Sequence, residues 1–161
     1  KILEDTNAAI CANNREEMFV TVWLGILEIS TGKLTAANAG HEYPAIHHAD
    51  GSFELYKDKH GFVIGGMDGV KYKEYDVQLM PGASVFVYTD GVPEATNADN
   101  SMFGTDRMIR ALNEPADTPR QVLCNVRRAV DEFTTGTEQF DDLTMLCLEY
   151  KGANGKDGEQ A

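Results

Sequence analysis

The chain has 161 residues, 42% of them hydrophobic, enough for one domain with its own core. Its formal net charge of −12, with no basic cluster, argues against nucleic-acid binding through phosphate contacts. No apolar run reaches membrane-spanning length and no basic-then-apolar leader opens the chain, so no membrane segment is expected.

Lys1 to Ala12 carries apolar residues at Ile2, Leu3, Ala9 and Ile10, with Thr6 half apolar, the spacing of a one-sided helix. Lys1 is not a start methionine, so the chain is expected to be cut from something longer. Met18 to Ile29 is apolar on both faces over most of its length and reads as a long central strand. Thr31-Gly32 turns it, and Lys33 to Ala39 returns as its hairpin partner. Tyr43-Pro44 opens a strand over Ala45 to Ala49, and Asp50-Gly51 signals a hairpin to Ser52–Lys57.

The glycine-rich stretch Lys57 to Val70 lacks the Lys-Ser/Thr of a phosphate-binding loop and the strand-to-helix plan of a dinucleotide site. Tyr72 to Leu79 alternates apolar and polar residues, which predicts a half-exposed strand paired across Pro81-Gly82 with the strand that starts at Ala83. That next strand is buried and ends abruptly in Thr89-Asp90-Gly91, which sets a carboxylate at the rim of a sheet. Asp-Gly is also ordinary turn chemistry.

Val92 to Thr96 allows one helical turn. Asn97 to Ser101 has only a weak likeness to a calcium loop, without its glycine or closing glutamate, and reads as an exposed loop. Thr105 to Asn113 predicts a short helix with Met108, Ile109 and Leu112 inward. Thr118 to Thr134 predicts a longer one, capped by Thr118, with Pro119 in its first turn and Gln121 completing a capping box. Val122, Val126, Val130 and Phe133 lie along its inner stripe. The last strand is expected over Asp142 to Tyr150, one domain over 1–150, and a flexible tail over 151–161.

Asp141 and Asp142 stand at the start of that last strand. Two strand ends bearing acids, one leaving a sheet and one entering it, can converge on one rim. Clustered carboxylates repel unless a cation neutralises them, and Mg²⁺ and Mn²⁺ favour such oxygen ligands. Cys11, Cys124 and Cys147 show neither zinc nor disulfide spacing, which points to a reducing, cytoplasmic compartment. His47 and His48 are neighbours on a strand and face opposite ways; His41 follows a glycine in a loop; His60 reads as surface. The pattern overall is α+β, with antiparallel sheets flanked by helices.

Met18-Phe19-Val20-Thr21, Asn38-Ala39-Gly40-His41 with Pro44, Tyr88-Thr89-Asp90-Gly91-Val92 with Glu94-Ala95, Phe103-Gly104 and Asp141-Asp142-Leu143-Thr144 follow one another through the chain. In order and spacing they resemble the C-terminal portion of a protein phosphatase 2C-like (PPM-type) serine/threonine phosphatase domain of the SpoIIE/RsbU kind. The resemblance implies two antiparallel sheets stacked as a sandwich, helices outside, and two Mn²⁺ or Mg²⁺ ions at one edge. Water activated by the ions would attack the phosphorus of phosphoserine or phosphothreonine in line; paired ions about 4 Å apart stabilise attacking and leaving oxygens alike. By motif position Asp90 and Asp141 are the implied metal ligands and catalytic residues. Gly91, Asp142 and His41 are supporting positions, His41 in a hydrogen-bonding role.

The family's earlier strands carry a Gly-Asp-Phe-Tyr-Asp-like and an Asp-x-x-Gly-like motif, and neither occurs here. The two-metal site is therefore expected to be incomplete and the 161-residue chain by itself inactive or nearly so. Exposed strand edges would invite a homodimer. The implied substrate is a phosphorylated protein, such as an anti-sigma-factor antagonist in a bacterial stress or sporulation circuit. A non-catalytic scaffolding module that keeps the fold is the alternative. A phosphohydrolase using Asp90 as nucleophile needs a parallel strand, which the hairpins oppose.

Overall fold

A computed structural model describes residues 1–48, 51–137 and 141–153. In chain order the elements are α1 (Ile2–Cys11), β1 (Val22–Glu28), β2 (Lys33–Ala39), β3 (Ala45–His47), β4 (Phe53–Leu55), β5 (Glu74–Gln78), β6 (Ser84–Tyr88), α2 (Gly104–Leu112), α3 (Pro119–Phe133) and β7 (Met145–Glu149). The α+β reading holds: the strands form two antiparallel sheets and the helices number three among the described residues. The chain divides into two units, residues 1–41 with 57–79, and residues 42–56 with the chain from 80 onward.

The first unit is built on the sheet β1-β2-β5, with Gly25 opposite Ala36 and Ala36 opposite Tyr75. These small residues leave room for the Trp23 indole, which lies over Gly25 and donates to the Tyr75 hydroxyl at 2.8 Å. Of the expected stripe, helix α1 buries Leu3 and half-buries Ile10, while Ile2, Thr6 and Ala9 are exposed; Asn7 is buried in their place. Asn7 is buried because it is paired: its amide donates to the Met67 carbonyl at 2.9 Å and its oxygen accepts the Gly65 amide at 2.8 Å. The helix thus fastens the glycine-rich loop.

Two expectations fail here. The apolar run from Met18 is not one central strand; β1 begins at Val22, lies at the edge of its sheet, and leaves Met18, Phe19 and Ile26 exposed. An apolar run signals burial only when both faces are covered, and Ile26 is 56% exposed. The Tyr72–Leu79 strand does not pair with its successor either. β5 pairs with β2, whereas β6 belongs to the other sheet.

The second unit carries the sheet β4-β3-β6-β7. Phe86, Phe103, Met108 and Val126 are almost fully buried in one cluster shared by β6, α2 and α3. Burial of side chains this size contributes roughly 1.5–3 kcal/mol each. Thr118 caps α3, its hydroxyl accepting the Gln121 amide at 3.3 Å. The Gln121 side chain reaches the Asp117 amide at 2.7 Å, one residue before the position a capping box would use. The final strand starts at Met145, so Asp142 precedes it. The hairpin signal at Asp50 lies partly, and the tail from Asn154 wholly, outside the described residues.

Candidate functional site

Strand β6 brings the acidic edge into being. It ends at Tyr88, opposite Met145, the first residue of β7. Beyond the strand the pairing is continued by one side chain. The Thr89 amide donates to the Thr144 carbonyl at 3.0 Å, and its hydroxyl donates to the Asp142 carbonyl at 3.0 Å. The same hydroxyl accepts the Thr144 amide at 3.2 Å. Asp90-Gly91 and Asp141-Asp142 are therefore held together through their backbones at one edge of the second unit.

Gly91 is buried there, and a Cβ on it would collide with the Asp142 carbonyl. A glycine is required by close approach, not by an unusual φ. The chain then makes its single turn, with the Glu94 amide bonded to the Asp90 carbonyl at 2.9 Å.

Asp90, Asp141 and Asp142 are all exposed. The Asp90 carboxylate accepts the Gly91 amide at 3.0 Å, and that of Asp141 accepts the Asp142 amide at 2.7 Å. Each bond orients its carboxylate. Such oxygens suit a hard divalent ion. Among the described residues, no three His, Cys, Asp or Glu side chains are grouped to hold a metal ion. The donors present fit one open side of a hard-ion site and not a closed cage. Asp142 lies before β7, so alternation along a strand does not set its direction; its carbonyl is what meets Thr89.

His41 belongs to the first unit. Its Nδ1 lies 3.0 Å from the Thr21 hydroxyl, and its amide donates to Asn38 Oδ1 at 2.8 Å. Asn38 in turn donates to the His41 carbonyl at 3.0 Å and to Asp58 at 3.2 Å. The Asp58 side chain is only 1% exposed, with His60 Nδ1 at 3.3 Å. His47 packs against Phe53 with ring centroids 5.0 Å apart, while His48 is exposed past the end of β3.

A cavity of about 390 Å³ lies beside the acidic edge. Its walls come from the turn after β6 (Gly91, Glu94), from the end of α3 (Arg127, Asp131) and from Thr137 and Asp141. The sequence reading missed Thr89, Asp58 and this cavity. The i, i+4 spacing of Arg127 and Asp131 is a local signal that would have marked that pair; nothing local marks Asp58 as buried.

The family model for Stage II sporulation protein E (SpoIIE) matches residues 1–151. Protein IcfG of Synechocystis sp. (strain ATCC 27184 / PCC 6803 / Kazusa) is 30% identical over 131 residues, covering 81% of this chain and 20% of its own. Phosphoserine phosphatase RsbU of Bacillus subtilis (strain 168) is 22% identical over 152 residues, covering 94% of this chain and 45% of its own. The chain thus spans less than half the length of either relative. Among solved structures, the SiaA-PP2C domain of Pseudomonas aeruginosa superposes with a TM-score of 0.76 at 22% identity, over 92% of this chain and 59% of that one. The likeness extends the sheet-and-helix fold to a PP2C-type domain.

Proposed function

This chain belongs to the SpoIIE family, and from that premise we propose that it is the C-terminal part of a metal-dependent protein serine/threonine phosphatase domain. One observation carries the reading: Thr89 ties Asp90-Gly91 to Asp141-Asp142, so that the two acidic motifs share one edge. Asp90 and Asp141 would hold Mn²⁺ or Mg²⁺, two ions in the complete domain. When bound, the ions supply an activated water and neutralise charge on the phosphoryl oxygens. The chain's own residues orient the carboxylates through the Gly91 and Asp142 amides, and Gly91, with no side chain, lets its backbone lie against the Asp142 carbonyl.

The substrate in this reading is phosphoserine or phosphothreonine on a protein, an anti-sigma-factor antagonist in a bacterial signalling circuit, acting in the cytoplasm. Family membership supports it. Among the described residues, no helix is long and apolar enough to cross a membrane. The open donor set favours a second reading, a scaffolding module without catalysis.

Hydrolysis of p-nitrophenyl phosphate and of a phosphoserine protein with excess Mn²⁺ decides between them. We expect turnover only in a longer chain carrying the two upstream motifs, lost there on Asp90→Ala or Asp141→Ala. Strong Mn²⁺-dependent turnover by the 161 residues themselves, lost on Asp90→Ala, would show that the upstream ligands are not needed. Activity that survives both substitutions would overturn the mechanism.

A further inference from the structure

The cavity beside Asp141 has a wall rich in threonines. Thr96, Thr134, Thr135 and Thr137 all line it. Each hydroxyl has one proton and two lone pairs. Every one of these protons is placed within bonding distance of a main-chain carbonyl: Thr96 to Glu94 at 2.7 Å, Thr134 to Val130 at 3.0 Å, Thr135 to Glu132 at 3.0 Å and Thr137 to Thr134 at 2.6 Å. What the four oxygens have left to offer is acceptor capacity.

The charged groups point the same way. Glu94, Asp131 and Asp141 face one cation, Arg127. Arg127 is committed, its Nε lying 2.8 and 2.9 Å from the two oxygens of Asp131, and this pairing raises the guanidinium's proton affinity. Even with Asp141 engaged on an ion, Glu94 remains without a cation of its own among the described lining residues. Apolar wall is supplied by Val130, Leu143 and Met102, the last 60% exposed. An acceptor-rich end beside an apolar wall suits a long aliphatic stem with a cationic head. The volume, about 390 Å³, is ample for one such side chain.

We propose that this cavity is a specificity pocket that receives a lysine or arginine side chain flanking the phosphorylated serine of the substrate protein. The inference rests on the phosphatase reading for the word "substrate", but the pocket's preference for a cation does not depend on turnover.

Two measurements keep these apart, both on the full-length protein. The first is binding, by fluorescence anisotropy in EDTA, of labelled phosphoserine peptides that differ only in Lys or Glu flanking the phosphoserine. The second is kcat/KM for the same peptides with Mn²⁺. We expect the Lys peptide to bind at least tenfold more tightly at low salt, and Glu94→Lys to shrink or invert that ratio. A ratio within twofold of unity in the wild type, or one that Glu94→Lys leaves unchanged, overturns the pocket. A preference in binding that responds to Glu94→Lys without any turnover supports the pocket and counts against the phosphatase reading. Turnover that ignores the flanking charge does the reverse.

Discussion

The Thr89 hydroxyl donates to the Asp142 carbonyl at 3.0 Å, which makes one side chain the tie between the two acidic motifs. Replacing it with the isosteric valine removes that bond and the acceptor for the Thr144 amide. Thr89→Val is expected to cost about 1–3 kcal/mol, since buried or half-buried polar groups lose a partner. Urea denaturation measures the loss. An unchanged midpoint and slope would mean that water replaces both bonds at no cost.

Gly91→Ala tests the same edge from the other side. The new methyl has no place beside the Asp142 carbonyl, so the segment bearing Asp141 must move. Overpacking of this kind costs roughly 1–3 kcal/mol. The expected outcome is a lower melting temperature together with weaker Mn²⁺ binding by calorimetry in the full-length protein. Unchanged affinity would separate Gly91 from the candidate metal edge.

Asn38 is buried and bonds to both His41 and Asp58. Asn38→Ala leaves the nearly enclosed Asp58 carboxylate without the amide that now faces it. The expected loss is about 1–3 kcal/mol, the cost of leaving a buried polar group without its partner. The double variant Asn38→Ala with Asp58→Asn should recover part of it by removing the charge. Additive losses in a double-mutant cycle would contradict the pairing.

Burial, followed by the charge of Glu149, pushes the Cys147 thiol up to about 11 from its ordinary 9.0. The folded protein therefore holds this proton where the unfolded chain has already released it. The associated stability is complete below pH 9.0 and is lost as the pH climbs from there towards about 11. Thiol labelling at pH 8 should modify the exposed Cys124 first and Cys147 much later. Equal labelling rates would show that Cys147 is not protected.

Ile26 stands 56% exposed on β1, one of the two edge strands of its sheet. An apolar edge of this kind recruits other strands. Concentration-dependent self-association is expected in sedimentation velocity, weakened by Ile26→Lys. A monomer at all concentrations would refute this.

Helix α3 was legible because its signals are local: the Thr118 cap, Pro119 in the first turn and the valine stripe all lie within the helix or directly before it. Strand β6 and Asp90, in the turn just after it, were legible for the same reason. Strand pairing was not. Pro81-Gly82 has the chemistry of a hairpin turn, yet Gly82, at φ 92°, donates its amide to the Tyr150 carbonyl and passes the chain to a different sheet. The competing partner of β5 is β2, which lies far upstream, with β3, β4 and the glycine-rich loop between them, beyond the reach of any periodicity. The acidic edge was half legible. Asp90 and Asp141 announced themselves by residue type, whereas Thr89 looked like one more strand residue, and Asn7 looked too polar for the inward face of α1.

Trp23 is the chain's single tryptophan, and it sits in the first unit with its indole N–H on Tyr75. Emission excited at the red edge is therefore a private signal of that unit, whereas far-ultraviolet circular dichroism, drawn largely from α2 and α3, is weighted to the other. Followed together through one denaturation, the two signals report whether the halves of the chain melt as one body or in succession, with no added label. Tyr75→Phe, by removing the hydroxyl that the indole now meets, would shift the emission and not the dichroism.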